Sequence, residues 1–239
     1  MTAAVPFRCA AVVTDIEGTT GSIAFVHDVL FPYAQAHLAA FVAERGAQPE
    51  VAAVLRDAAV AAGEPDAGPG RVVEVLRAWI EADRKITPLK TLQGLIWADG
   101  YARGELRGHV YPDAAAGLRR WHAAGFPLYV YSSGSIAAQQ LLFGHSEAGD
   151  LRPLFSGYFD TTIGAKSDAT AYAAIARTIA TSPEHILFLS DREAELDAAH
   201  AAGWQSGCLA RPADAPAGAM SAHPTFTSFD EIEVQAVAR

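Results

Sequence analysis

Beyond Pro112 the chain alternates short apolar runs with helical stripes, and several of those runs stop at a residue that carries chemistry. Pro127 to Tyr131 stops at Ser132, and Ile186 to Ser190 stops at Asp191. Near the start, Cys9 to Thr14 is a similar run that stops at Asp15. Unbroken apolar runs this short read as strands buried on both faces. Tyr158 to Ile163 reads as a further strand, with another around Cys208 and Leu209. Helices are predicted for Ala114 to Ala124, from Ser135 or Ile136, along the stripe Ala171, Ala174, Ile175, Thr178 and Ile179, and for Glu193 to Ala202. Strands alternating with helices over short connections build a parallel sheet covered on both faces.

Between the first strand and this block lies a stretch with no comparable run. Val72, Val75, Leu76, Trp79 and Ile80 repeat at helical spacing, as do Leu89, Leu92, Ile96 and Trp97. The expected fold class is therefore α/β, with a parallel-sheet core over residues 1–20 and 108–239. An all-helical insertion, residues 21–107, forms a cap. A length of 239 residues with 51% hydrophobic and 19% charged side chains supports a folded core and excludes disorder. The net charge of −9 disfavours a nucleic-acid or anionic-membrane partner, which would select a cationic face. A small phosphorylated substrate stays compatible where a metal ion or a few local cations reverse the field. Cys9 and Cys208 are too far apart in sequence for a metal spacing or a disulfide framework and read as buried free thiols. The chain shows no membrane-span pattern and no signal-peptide pattern, so a cytoplasmic location is expected.

Open parallel sheets bind ligands beyond the carboxyl ends of their strands. Asp15, Ser132, Lys166 (just past its strand) and Asp191 all fall at that edge in this reading. In Asp15-Ile-Glu-Gly-Thr-Thr20, residues two apart project to the same side, so Asp15 and Glu17 share one small volume. Two carboxylates that close need a proton or a cation between them, and a hard divalent ion such as Mg²⁺ suits oxygen ligands. Ser132, Ser133 and Gly134 precede a helix start, where backbone N–H groups favour phosphate; an ordinary cap by Ser135 explains the same segment. Lys166 is placed to balance phosphate and carboxylate charge, and Asp191 to supply another oxygen ligand.

These four segments, in this order, resemble the four motifs of the haloacid dehalogenase-like hydrolase superfamily, and the helical insertion resembles its cap. More narrowly, Asp15-Ile-Glu-Gly-Thr-Thr20, Phe25-Val-His-Asp-Val-Leu-Phe-Pro-Tyr33, Leu92-Gln-Gly-Leu-Ile-Trp97, Tyr131-Ser-Ser-Gly-Ser135 and Leu189-Ser-Asp191 are similar to the enolase-phosphatase (acireductone synthase) family of methionine salvage. Glu17 stands where most of the superfamily carries Asp, a departure that matches this narrower family. The resemblance implies a Rossmann-like sheet core and one Mg²⁺ per subunit, held by Asp15, Glu17 (by side chain or backbone carbonyl) and Asp191. It implies Asp15 as nucleophile, and Ser132, Ser133 and Lys166 as phosphate-binding groups. Glu17 is the natural general acid/base, with metal ligation as its other role. A monomer that converts 2,3-diketo-5-methylthiopentyl-1-phosphate into an acireductone and phosphate, by enolisation and then dephosphorylation, is implied. Two rival readings are a phosphatase of the same superfamily with another substrate, and a non-catalytic sensor of a phosphorylated metabolite. Glu195, four residues after Asp191, is a candidate supporting carboxylate, and His27, Lys90, Gln93, Phe25, Phe31 and Trp97 are candidate cap contributors.

Overall fold

The computed structural model describes residues 6–82, 84, 86–212, 214 and 221–237. The chain divides into two compact units, Met1–Phe25 with Arg107–Arg239, and Val26–Leu106. In chain order the first unit begins with β1 (Phe7–Cys9), β2 (Ala11–Thr14) and a single turn, α1 (Ile23–Phe25). The second unit follows, with a π-helical segment (Val26–Leu30), α2 (Phe31–Arg45), α3 (Pro49–Ala61), α4 (Pro69–Glu81) and α5 (Thr87–Ala102). Each of these four α-helices has Pro in its first two positions, where the missing N–H costs no bond and φ is already helical. Their apolar stripes close on one core that includes Leu38, Leu55, Leu76, Trp79, Leu92 and Ile96.

The first unit then resumes with α6 (Pro112–Ala123), β3 (Leu128–Tyr131), α7 (Ile136–Gly144), β4 (Phe155–Phe159), α8 (Ala169–Thr178), β5 (Ile186–Ser190), α9 (Glu193–Ala201), β6 (Gln205–Leu209), β7 (Thr225–Phe226) and β8 (Val234–Ala236). The main sheet runs β4-β3-β2-β5-β6-β7 with every pairing parallel. Successive strand residues face opposite sides. Val12, Leu128, Val130, Leu187 and Leu189 accordingly join one core with Leu118, Trp121 and Phe143 of α6 and α7. Val13, Tyr131, Ile186 and Phe188 join another with Tyr172, Ile175 and Leu196 of α8 and α9. Both parities are apolar because both faces are covered. The chain moves outward from β2 through β3 to β4, returns to β5 on the other side of β2, and continues to β6. That reversal opens the crevice beside the end of β2 where α/β sheets take their ligands.

Three local expectations change. The run Cys9 to Thr14 is two strands, since β1 pairs with β8 in a separate two-stranded sheet and Ala10 N–H donates to His185 O at 2.7 Å. The strand expected over Tyr158 to Ile163 is β4 and ends at Phe159. Asp160 Oδ1 accepts from Thr162 N (2.9 Å) and Thr162 Oγ1 (2.5 Å), closing a turn that ends the ladder. Lys166 therefore lies on the loop between β4 and α8 and not directly past a strand. Beyond Pro212, where the sequence offered no signal, the chain supplies β7, β8 and a 3₁₀ turn (Phe229–Glu231). Both cysteines are free and buried, as their apolar surroundings suggested.

The 3₁₀ turn is fixed to α6 by Asp113, which accepts from Arg211 Nη1 (2.6 Å), Phe229 N (2.8 Å) and Ser228 Oγ (3.0 Å). Burial works to raise the Asp113 pKa, but these donors outweigh it and hold the carboxyl below its usual range. A depressed carboxyl stabilises the fold above its unfolded pKa, near 3.9, and that contribution is lost as pH falls through the folded value. Urea midpoints for the parent and Asp113→Asn should differ clearly at pH 6 and converge towards pH 2. A gap that does not narrow would contradict this assignment.

Candidate active site

β2 delivers Asp15 to the edge of the sheet, 3% exposed, with its N–H bonded to Leu189 O at 2.9 Å. The loop that follows folds back tightly. The N–H groups of Thr19, Thr20 and Gly21 all point at Ile16 O (3.1, 2.9 and 2.9 Å), and Gly18 N–H bonds Gly21 O at 2.8 Å. Thr20 Oγ1 donates to Asp15 O at 3.1 Å. Gly18 has φ +71°, and a Cβ there would lie 2.5 Å from Asp191 Oδ2. Both its conformation and the approach of Asp191 from the end of β5 demand glycine.

Asp15 Oδ1 accepts from Ile16 N–H at 2.8 Å and pairs with Lys166 Nζ at 2.7 Å. Lys166, 6% exposed, also pairs with Glu195 Oε2 at 2.6 Å, and Tyr172 OH fixes its backbone by donating to Lys166 O at 2.8 Å. Burial alone would lower the Lys166 pKa; Asp15 and Glu195 overcome that and raise it, so the ammonium is fixed in its charged form. Ser190 Oγ spans the two carboxylates, at 2.9 Å from Glu195 Oε2 and 3.4 Å from Asp15 Oδ2. On the other side Glu17 Oε2 accepts from Ser132 Oγ at 3.1 Å, and Ser132 Oγ accepts from Gly134 N–H at 3.1 Å. Ser133 is exposed beside it, and Ser135 caps α7 through Ala138 N–H at 3.3 Å.

Asp15, Glu17, Ser132 and Lys166 of the sequence-derived set are thus joined by direct bonds or by the short Asp15–Glu17 connection, and Asp191 joins them against Gly18. Their electrostatics agree. Burial first, and the Asp15 charge second, raise Glu17 above the usual carboxylate range, lift Asp191 to about 6 and lift Glu195 to about 7. Asp191 Oδ1 is buried with no hydrogen-bond partner among the described residues. Crowded carboxylates, an orphaned oxygen and a glycine that opens the space beside it fit a hard, oxygen-liganded divalent cation. A second group, Glu193, Asp197 and His223, brings ligand atoms within 4.8 Å of one another, but Glu193 and Asp197 are exposed, and each member is already bonded. It includes none of the residues that the motifs single out.

Ser190 and Arg211 are absent from the sequence-derived set. The hydroxyl immediately before Asp191 was the available signal for Ser190; no local pattern marks Arg211. In the second unit, the candidate cap residues are distributed differently from one another. Gln93 is buried, Lys90 is exposed, and Trp97 Nε1 donates to Leu30 O at 2.8 Å, next to Phe31. Phe25 packs instead with the core of the first unit.

A family model described as haloacid dehalogenase-like hydrolase matches residues 9–203. The chain belongs to that family. Within it, an enolase-phosphatase E1 of Azotobacter vinelandii is 56% identical over 93% of this chain and 96% of its own length. One from Methylococcus capsulatus is 55% identical over 93% and 96%. At that similarity the chain is a member of the enolase-phosphatase E1 group of these hydrolases. Among solved structures, the UTR4 protein of Saccharomyces cerevisiae superposes with TM-score 0.81 at 31% identity, over 93% of this chain and 99% of that one. A dehalogenase at 18% identity and TM-score 0.55 shares the hydrolase fold.

Lys166 is the buried cation between Asp15 and Glu195, so removing it strands one buried and one partly buried carboxyl group. In chelator-treated buffer at pH 8, Lys166→Met should lose about 3–5 kcal/mol of unfolding free energy, the usual cost of breaking a buried pair. Urea unfolding checks this; a change under 1 kcal/mol would contradict the pairing.

Proposed function

We propose that this hydrolase is an enolase-phosphatase that converts 2,3-diketo-5-methylthiopentyl-1-phosphate to the acireductone 1,2-dihydroxy-3-keto-5-methylthiopentene and phosphate in methionine salvage. The observation that carries the reading is near full-length identity to enolase-phosphatase E1 proteins. The bonded set around Asp15 supplies a physical route. Two events are joined in this reaction, enolisation beside a carbonyl and cleavage of the phosphate ester.

Asp15 is the nucleophile. Lys166 and the Ile16 amide hold its carboxyl group through Oδ1. Its oxygen attacks phosphorus, the Asp15–phosphorus bond forms as the ester P–O bond breaks, and the departing oxygen takes a proton from Glu17. Burial and Asp15 make Glu17 a proton carrier by raising its pKa. Glu17, now a carboxylate, then takes a proton from the water that attacks phosphorus, and the aspartyl bond breaks to free phosphate. Ser132, Ser133 and Lys166 bind the phosphoryl oxygens, where alignment and charge neutralisation contribute most of the catalysis. Dependence on a divalent metal accompanies this chemistry; Asp15, Asp191 and the backbone carbonyl of Glu17 would hold Mg²⁺, which would supply Lewis-acid neutralisation of phosphoryl charge while the Glu17 carboxyl carries the proton. The helical unit over 26–106 acts as the cap that selects the substrate. We place the protein in the cytoplasm and, by its family resemblance, as a monomer; among the described residues no helix is long and apolar enough to cross a membrane.

Asp15→Asn should retain the parent's thermal unfolding temperature and lose turnover by at least about 10³-fold, as expected when a covalent nucleophile is removed. The assay follows phosphate release and the absorbance of the conjugated enediol together, with Mg²⁺ and after chelation. The parent should produce both signals only with Mg²⁺. Phosphate without the chromophore would reassign the enzyme to simple phosphatase chemistry, and normal turnover by Asp15→Asn would remove Asp15 from its role.

A further inference from the structure

Arg211 lies two residues beyond β6, is 3% exposed, and spends its guanidinium on the loop that carries Asp15, Glu17 and Gly18. Nε and Nη2 both donate to Thr19 O, at 2.9 and 2.8 Å. Nη1 donates to Asp113 Oδ2 at 2.6 Å and Thr227 O at 3.2 Å. The flat face of the group lies 4.4 Å from the Tyr111 ring centroid and 5.2 Å from that of Phe229. Tyr111 in turn donates its N–H to Thr20 O at 2.9 Å. The two carbonyls that leave the tight turn are therefore each held from outside the loop, Thr19 by Arg211 and Thr20 by Tyr111.

We infer that Arg211 is a positioning residue for the proposed phosphoryl-transfer site, acting through Thr19 O to fix the loop on which Glu17 and Gly18 face Ser132 and Asp191. The geometry calls for arginine in particular. A planar fork delivers two donors to one carbonyl and two more at the other edge while stacking on aromatic rings, and a single ammonium cannot do this. Released at Thr19, the turn itself keeps its internal bonds and Tyr111, and beyond it only side-chain bonds such as Ser132 to Glu17 and the Ser22 N–H bond to His109 Nδ1 remain. Gly18 would then move off Asp191, and Glu17 off Ser132. Displacement of reacting groups by about 1 Å costs rate on the order of a hundredfold. Asp113 sits at the far edge of the guanidinium and ties it to the C-terminal turn, so it contributes to stability and not to the loop contact.

This inference rests on the reading of Asp15 as nucleophile for its kinetic consequence, and on the loop alone for its structural one. The test compares Arg211→Lys, Asp113→Asn and the parent by three readouts: amide hydrogen exchange in a peptide spanning 15–21, thermal unfolding, and steady-state kinetics with the diketo phosphate. Arg211→Lys should exchange faster in that peptide and lose about ten- to a hundredfold in kcat, with KM within threefold. Asp113→Asn should unfold at lower temperature, yet keep the parent's exchange in 15–21 and kcat within threefold. Unchanged exchange in Arg211→Lys would overturn the inference whatever the substrate proves to be. Equal loss of kcat in both variants would overturn it too, because that marks general destabilisation. A failure of the nucleophile assignment appears separately, as turnover by Asp15→Asn, and leaves the exchange result to be judged by itself.

Discussion

Four carboxyl groups, those of Asp15, Glu17, Asp191 and Glu195, meet at one edge of a sheet with a single buried ammonium, Lys166, among them. Lys166 bonds two of the four, Ser190 spans the same two, and Ser132 bonds a third. Burial first, and the charge of Asp15 second, push three of the carboxyl groups towards their protonated forms. A protein selected only for stability would replace such a cluster with apolar packing. Such a cluster suits the proposed site for a cation and a phosphoryl group.

The scaffold turns that crowding into geometry. β2 is central, flanked by β3 and β5, so the strands that deliver Asp15, Ser132 and Asp191 are neighbours in space although far apart in the chain. Lys166 reaches the same point from a loop, held by Tyr172 and set over the Tyr131 ring at 5.7 Å. Gly18 lets two of the strand-end loops touch, and Arg211 holds the loop after β2 through Thr19 O.

Much of this was legible in the sequence because two periodicities carry it. Strands buried on both faces leave unbroken apolar runs, and the residues that end them sit at the ligand-binding edge; Asp15, Ser132 and Asp191 were found that way. Lys166 was found as a member of the set although its strand was misplaced, since the turn set by Asp160 and Thr162 ends β4 early and apolar Ile163 mimics a continuing strand. Ala10 likewise hides the break between β1 and β2, because a small apolar residue interrupts neither pattern. Ser190 and Arg211 were missed for a different reason. Their roles depend on a hydroxyl bridging Glu195 to Asp15, 175 positions away, and on a guanidinium reaching a carbonyl 192 positions away, and such partnerships exist only after folding.

The central claim is that Asp15, Glu17 and Asp191 form one cation-binding centre within the enzyme. Thermal unfolding followed against Mg²⁺ concentration tests it without reference to any substrate, because a ligand of the native state raises the transition temperature as its concentration exceeds its dissociation constant. The account predicts a rising transition temperature for the parent and a flat response when Asp191→Asn is combined with Asp15→Asn. An equal rise in parent and double variant would contradict it, and would place the cation elsewhere on the molecule.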